Sequence, residues 1–153
     1  MAGLPDGDLL AVGLSTVSLY PGLPYRFVAT YHVKDIPGIM RLTNADIISY
    51  VEFPGVRHVK RHTGPTGSSA LLGTLWAVSH GYHRIVLCGC PLQGKNKFGG
   101  DYYRQFNEGW RYRYEEIKNY VRSMSGWTSE LLGKPTEDWF YGTKCDEAPA
   151  VLT

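Results

Sequence analysis

The sequence has too few cysteines to build a disulfide framework. Three occur among its 153 residues, two of them in the string Cys88-Gly89-Cys90 and the third at Cys145. An odd number without regular spacing is typical of proteins from a reducing compartment. The Cys-x-Cys string could be half of a metal site, but no second Cys or His pair stands at zinc-ligand spacing. We therefore interpret it as small residues in a buried strand, and we predict neither a metal nor a cofactor.

A long apolar run and a strong charge excess are also missing. No stretch approaches the roughly 18 apolar residues of a membrane-spanning helix. Asp6 and Asp8 precede the first apolar run, where a signal peptide would carry basic residues. The formal net charge is only +2, which favours neither nucleic acid nor a membrane as a partner. We expect a cytoplasmic protein.

The chain is long enough to form one self-sufficient core. At 153 residues, a folded chain buries roughly 68–70% of the surface that it exposes when unfolded. Neither a repeat nor a linker divides the sequence. We predict one domain over residues 1–141 and a flexible tail over residues 142–153.

Short apolar or β-branched runs alternate with helical patterns, which predicts an α/β fold. We predict strands over residues 8–12, 25–32, 46–52, 56–62, 84–90 and 120–125. Because only a tight turn at Pro54-Gly55 separates the third strand from the fourth, these two could pair as a hairpin. The predicted architecture is a Rossmann-like three-layer sandwich of about six mostly parallel strands, centred on the βαβ unit over residues 56–91.

A glycine-rich turn, Thr63-Gly64-Pro65-Thr66-Gly67, leads from the fourth strand into an apolar helix that Ser68 and Ser69 open. Such a turn directs backbone N–H groups and the positive end of the helix dipole at one point, which suits a phosphate or carboxylate. It has neither the lysine of a P-loop nor the GxGxxG spacing of dinucleotide folds. The alternative is that a serine simply caps the helix and the glycines simply turn the chain.

Basic residues crowd the strand that leads into this turn, and they would neutralise a bound phosphate. The predicted phosphate-binding residues are Gly64, Thr66, Gly67, Ser68, Ser69, Arg57, Lys60 and Arg61. The alternative for the charges is a solvated outer strand, on which Lys and Arg oppose aggregation.

Three histidines, His32, His58 and His62, are candidate general acids or bases. His32 ends the second predicted strand, and ligands of open α/β sheets bind outside the carboxyl ends of the strands. His58 and His62 belong to the basic strand. For each of them a structural role is the alternative.

Two strings of residues stand on either side of the middle of the apolar helix: Gly64-Pro65-Thr66-Gly67-Ser68-Ser69-Ala70-Leu71-Leu72 and Gly81-Tyr82-His83-Arg84-Ile85-Val86-Leu87-Cys88-Gly89-Cys90-Pro91-Leu92. Together they are similar to the core motif of the MptE-like superfamily. Residues 121–133 are similar to the tail of its small members from tailed bacteriophages. The superfamily includes archaeal 6-hydroxymethylpterin diphosphokinases and bacterial sialyltransferase-like proteins. The resemblance covers most of residues 45–140.

The resemblance implies a Rossmann-like fold that binds a nucleotide or nucleotide-sugar at the serine turn and transfers a sugar or a diphosphate. It also implies ligand contacts beyond the fifth strand, where Gly89 and Tyr103 stand. Family members open with a further strand and a glycine-rich loop, for which Val12-Gly13-Leu14-Ser15-Thr16 is the nearest substitute here. The alternatives to a transferase are a non-catalytic phage protein that captures a host nucleotide signal in the host cytoplasm, and a virion component.

An amphipathic helix with an aromatic stripe is predicted over residues 101–119. Tyr103, Phe106, Trp110 and Tyr114 recur at helical spacing, which is typical of a core or dimer contact rather than of a base-stacking platform. A sheet without its usual opening strand leaves backbone groups that association would cover. We therefore predict a homodimer or a larger ring, with this helix as the contact surface.

Overall fold

The computed structural model describes residues 7–62, 64–65, 68–94 and 103–142. The strands are β1 (Leu9–Val12), β2 (Tyr25–Thr30), β3 (Asp46–Ser49), β4 (Val56–Val59), β5 (Ile85–Leu87) and β6 (Val121–Ser123). The helices are α1 (Gly13–Leu19), α2 (Ile36–Leu42), α3 (Ser69–Ser79), α4 (Arg104–Tyr112), α5 (Tyr114–Ile117), α6 (Gly126–Leu132) and α7 (Glu137–Tyr141), and a 3-10 turn, Val33–Asp35, precedes α2. The chain forms two compact units, residues 1–62 and residues 63–153.

The first unit contains a parallel four-stranded sheet with the strand order β1, β2, β3, β4. α1 connects β1 to β2, and α2 connects β2 to β3. The core lies between one face of the sheet and these two helices. Ala11, Val28 and Ile47 occupy neighbouring register positions on three strands, and they are buried in one cluster with Val17 and Ile39 of the helices. Burying such apolar side chains is the main stabilising contribution to the unit.

The predicted hairpin of the third and fourth strands is wrong. β4 runs parallel to β3, with Ile48 opposite His58. The tight turn is present, because the Val56 amide donates to the Phe53 carbonyl at 2.9 Å, but it lies directly before β4 and not directly after β3. Residues 50–55 cover the return path, since six extended residues reach about 20 Å and a four-residue strand is only about 13 Å long.

β5 and β6 form a separate, two-stranded parallel sheet in the second unit, with Val86 opposite Arg122. The prediction of about six strands in one sheet is therefore wrong, although the α/β class and the parallel pairing are confirmed. The expected βαβ unit is not the centre of a sheet either, because β4 is an outer strand of the first sheet and β5 belongs to the second. The pairing of β5 with β6 joins segments that are far apart along the chain, and local sequence patterns do not encode such contacts.

The helices of the second unit follow the sequence closely at α3 and less closely afterwards. α3 is buried on all sides from Ala70 to Ala77, as its apolar composition predicts, and Gly81 follows it with φ +84°. The single helix expected over residues 101–119 is wrong, because Arg113, with ψ of 3°, separates α4 from α5. Residues 101–102 of that prediction lie outside the described residues. None of the helices in the described ranges is long and apolar enough to cross a membrane.

Candidate functional site

The carboxyl ends of the four parallel strands in the first unit meet at one edge of the sheet, which we call the carboxyl edge. The strands end at Val12, Thr30, Ser49 and Val59. Thr30 lies opposite Ser49, and Ser49 lies opposite Val59. Ligands of open α/β sheets bind outside this end of the strands. The geometry therefore directs attention to the residues that directly follow β2, β3 and β4.

Three rings lie together at the carboxyl edge, and we call them the ring cluster: Tyr31, Tyr50 and His62. The Tyr31 hydroxyl is hydrogen-bonded to Nε2 of His62. Their ring centroids are 5.9 Å apart with an interplanar angle of 82°, and the Tyr50 ring lies 5.1 Å from that of Tyr31. Tyr31 and His62 are half-buried, whereas Tyr50 is 39% exposed. The Tyr50 ring is thus accessible to solvent, and it packs beside Tyr31, which is hydrogen-bonded to His62.

Two buried hydroxyls lie side by side at the ends of β2 and β3. Thr30 and Ser49 are register partners, and neither is exposed to solvent. Thr30 Oγ1 accepts a hydrogen bond from the His32 amide at 3.0 Å. Ser49 Oγ is buried and has no hydrogen-bond partner among the described residues. A buried hydroxyl in that state costs about 1–3 kcal/mol, so it is an uncommon feature in a strand end.

The three candidate histidines occupy different places in the first unit. His32 is exposed and lies two residues beyond the end of β2, so it is at the carboxyl edge together with His62. His58 lies within β4, and its Nε2 is 3.6 Å from Oδ2 of Asp46, the first residue of β3. The structure therefore brings His32 and His62 to the same edge of the sheet. His58 lies within β4 instead, beside the Asp46 carboxylate.

The basic residues after residue 56 have acidic neighbours within the first unit. Arg57 Nε is 3.2 Å from Asp46 Oδ1, and Arg61 Nη2 is 3.3 Å from Glu52 Oε1. Both arginines are mostly exposed, so each ion pair is worth only about 0–1 kcal/mol. The Lys60 amide donates to the Ser49 carbonyl at 2.8 Å. Of the three cations only Arg57 lies on the outer strand β4, where its contact agrees with the edge-strand alternative, and a role of the three cations toward a ligand stays a prediction.

The serine turn lies in the second unit, where Ser68 is the N-cap of α3. Its Oγ accepts a hydrogen bond from the Leu71 amide at 3.4 Å, which confirms the predicted serine cap. Ser69 is the first residue of the helix and is half-buried. Thr66 and Gly67, two further predicted phosphate ligands, lie outside the described residues.

Gly64, in the predicted phosphate turn, lies close to the ring of Tyr112, a contact that the sequence does not predict. Its φ of +92° is in the region that favours glycine, and a Cβ built on it would lie 2.7 Å from Cε1 of Tyr112. Tyr112 is the last residue of α4 and is exposed. An exposed aromatic ring therefore lies against the predicted phosphate turn. No local pattern connects the two residues, because they are far apart along the chain.

Gly89 and Tyr103, the two residues expected at or beyond the end of the fifth predicted strand, lie near the two ends of the segment between β5 and α4. Gly89 follows β5, is exposed and has φ +70°. Tyr103 directly precedes α4, and its half-buried ring lies 6.3 Å from that of Phe106. Contacts of these two with a ligand stay predictions.

The string Cys88-Gly89-Cys90 is not part of a buried strand, because β5 ends at Leu87 and Cys88 is exposed. Burial raises the pKa of the Cys90 thiol, and the neighbouring Cys88 raises it further. Among the residues that the structure describes, no group of three or more His, Cys, Asp or Glu side chains could hold a metal ion.

A hydroxyl network joins the segment after β5 to the segment after β6. Thr128 Oγ1 lies 2.7 Å from Ser123 Oγ and donates to the Cys90 carbonyl at 2.7 Å. Ser123 and Thr128 are both fully buried. The same two segments also approach closely at Gly126, because a Cβ on this residue would lie 2.6 Å from Cα of Pro91. The two hydroxyls and the Cys90 carbonyl are hydrogen-bonded within the network. We therefore interpret the network as a structural support for the segment that follows β5.

The fold and these two regions define an α/β protein built on parallel strands. No protein-family model matches the sequence, and no curated protein and no solved structure matches it. The similarity to the MptE-like superfamily stays a prediction.

Proposed function

We propose that the chain is a cytoplasmic protein that binds a nucleotide-type phosphorylated ligand, with the phosphate at the turn formed by residues 64–69. The observation that carries the proposal is the Ser68-capped start of α3. The first amides of a helix have no acceptors within the helix, and the dipole adds positive potential at the same place. α3 is buried from Ala70 to Ala77, whereas Ser68 and Ser69 at its start are half-buried, so a ligand could reach the first amides.

The test compares two helix caps of the same unit. Ser68→Ala removes the cap of α3, and Thr136→Ala removes the cap of α7, where Thr136 Oγ1 accepts from the Trp139 amide at 3.2 Å. Each change is expected to cost about 1 kcal/mol of stability. Calorimetric titration with nucleotides, CMP-sugars, ADP-ribose derivatives and pyrophosphate should show at least about tenfold weaker binding for Ser68→Ala alone. Equal affinities of the two variants and the parent protein would contradict the proposal.

We propose sugar or diphosphate transfer as the accompanying reaction, with His32, His58 and His62 as the candidate acids and bases. Non-catalytic capture of a host nucleotide signal by a phage protein, or a role in the virion, is the alternative. Chromatography after incubation separates them. A ligand that is consumed supports the transferase, and a tightly bound ligand that is recovered intact supports capture.

We also propose that the protein is a homo-oligomer. The support is an exposed apolar segment at the end of α1, where Leu19, Tyr20 and Leu23 all face solvent within the protomer. Several exposed large apolar side chains within one short segment are a feature of association surfaces.

A further inference from the structure

The ring cluster of Tyr31, Tyr50 and His62 brings together three side chains from three strand ends. Tyr31 directly follows β2, Tyr50 directly follows β3, and His62 comes shortly after β4. Because the three strands are parallel and adjacent, all three residues reach the edge where α/β sheets bind ligands. The backbone positions of these residues alone therefore place them where a ligand-binding site is expected.

Two of the three rings are held in a fixed orientation. The hydrogen bond between the Tyr31 hydroxyl and His62 Nε2 joins them, and the interplanar angle of 82° is an edge-to-face contact. The Tyr50 ring packs on Tyr31 at 5.1 Å but remains 39% exposed. By contrast, Ile47, Ile48 and Ser49 directly before it are at most 2% exposed. The chain thus places an aromatic ring in solvent at the end of a buried strand.

We propose that the ring cluster binds a planar heterocycle of the nucleobase class, stacked on Tyr50. Aromatic side chains recognise such rings by stacking, whichever base is present. Rigid neighbours lower the entropy cost of that contact, because Tyr31 and His62 hold the supporting surface before the ligand arrives. The inference goes beyond the proposed function, since it uses residues of the first unit alone and none of the serine turn.

The exposed face of the Tyr50 ring, rather than a charge, is the feature that selects the ligand. Arg61 is paired with Glu52, but both side chains are mostly exposed, so this ion pair is weak. The Tyr31 hydroxyl and His62 Nε2 are hydrogen-bonded to each other, so stacking on the Tyr50 ring is the contact that we assign to the heterocycle. An aliphatic ligand would not gain this stacking contact.

The experiment uses the full chain and unphosphorylated nucleosides as probes. Saturation-transfer NMR and calorimetric titration with adenosine, guanosine, cytidine and uridine should detect binding, and ribose should not bind. Tyr50→Leu is expected to weaken nucleoside binding about tenfold, because it keeps an apolar side chain and removes the ring. Tyr50→Phe keeps the ring and should bind within a factor of about two to three of the parent.

The matched control is Tyr141→Leu, which changes a tyrosine that is 63% exposed and ends α7 in the second unit. It should bind nucleosides as the parent does. Absence of nucleoside binding in the parent protein, or equal binding by Tyr50→Leu, would overturn the inference. Neither result bears on the serine turn, because pyrophosphate tests that turn without a base and nucleosides test the ring cluster without a phosphate.

Discussion

Ser49 and Thr30 allow the value of a buried hydroxyl to be measured at two adjacent positions. Ser49→Ala removes a hydroxyl that has no partner in the described structure, so we expect a gain in the free energy of unfolding of up to about 1 kcal/mol. Thr30→Val keeps the side-chain shape but removes the acceptor of the His32 amide, and we expect a loss of about 1–3 kcal/mol. Urea denaturation of both variants measures the difference. A similar loss in both would show that Ser49 has a hydrogen-bond partner in solution.

The thiol of Cys90 should make stability depend on pH in the alkaline range. Burial, followed by the neighbouring Cys88, raises its pKa above the ordinary value of 9.0 in the folded chain. The contribution to stability is therefore fully present below the pKa of the unfolded thiol and is lost as the pH rises through the folded value. Cys90→Ala should flatten the decline of the melting temperature above about pH 9, measured by circular dichroism against Cys88→Ala. Identical declines in the two variants would contradict the assigned cause.

At the level of single residues, the sequence predicted part of the carboxyl edge. His32 was placed there as the last residue of a predicted strand; β2 ends earlier, at Thr30, but His32 still lies near this end of the strand. Tyr31 and Tyr50 could not be paired from the sequence, because their contact depends on the register of β2 and β3. The hairpin prediction would have put His62 at the opposite end of the sheet from Tyr31. The parallel direction of β4 brings the two side chains together.

At the level of elements, α6 begins at a glycine that lies against the backbone of Pro91. Gly126 has φ +70°, and a Cβ there would lie 2.6 Å from the backbone of Pro91. Gly81, after α3, also has positive φ, at +84°, but nothing lies within 4 Å of its Cβ position. Gly81→Ala should therefore cost about 1–2 kcal/mol, the strain of the left-handed backbone alone. Gly126→Ala should cost at least about 2 kcal/mol more, because backbone atoms must move.

Thermal and urea unfolding of both glycine variants measure these costs, and tryptophan fluorescence reports whether the second unit remains folded. Equal destabilisation by the two substitutions would mean that the backbone near Pro91 moves aside without a measurable loss in the free energy of unfolding. That result would also weaken the role of the hydroxyl network as a support, since Thr128 and Cys90 lie in the same contact.

The elements that the sequence predicted well are those with local signals at both ends. α3 begins at a serine cap and is followed by a glycine in the left-handed region, so its limits follow from neighbouring residues. The division between α4 and α5 has no such signal. Arg113 is an ordinary helix former, so its residue type does not signal the break that the structure shows there.

At the level of the whole molecule, the number of strands was predicted and their partners were not. β5 and β6 have three residues each, and their partners lie far apart along the chain. Alternating strand and helix patterns predict parallel pairing in general, but they do not say which strands are neighbours. The four-stranded order in the first unit follows the chain, so the unit could be assembled from local connections, and the separate two-stranded sheet could not.

The proposed homo-oligomer is the property of the whole molecule most open to a direct test. Trp110 of the aromatic stripe is fully buried within the protomer, so it cannot supply a contact surface without local unfolding. Leu19 is 72% exposed beside Tyr20 and Leu23, and a net charge of only +2 gives little repulsion between copies. Light scattering should give more than one protomer for the parent protein. Leu19→Lys should give the monomer, and the control Leu42→Lys, at a leucine of the same unit that is 45% exposed, should not. A parent protein that stays monomeric at high micromolar concentration would refute association, and an oligomer that survives Leu19→Lys would move the contact to another surface.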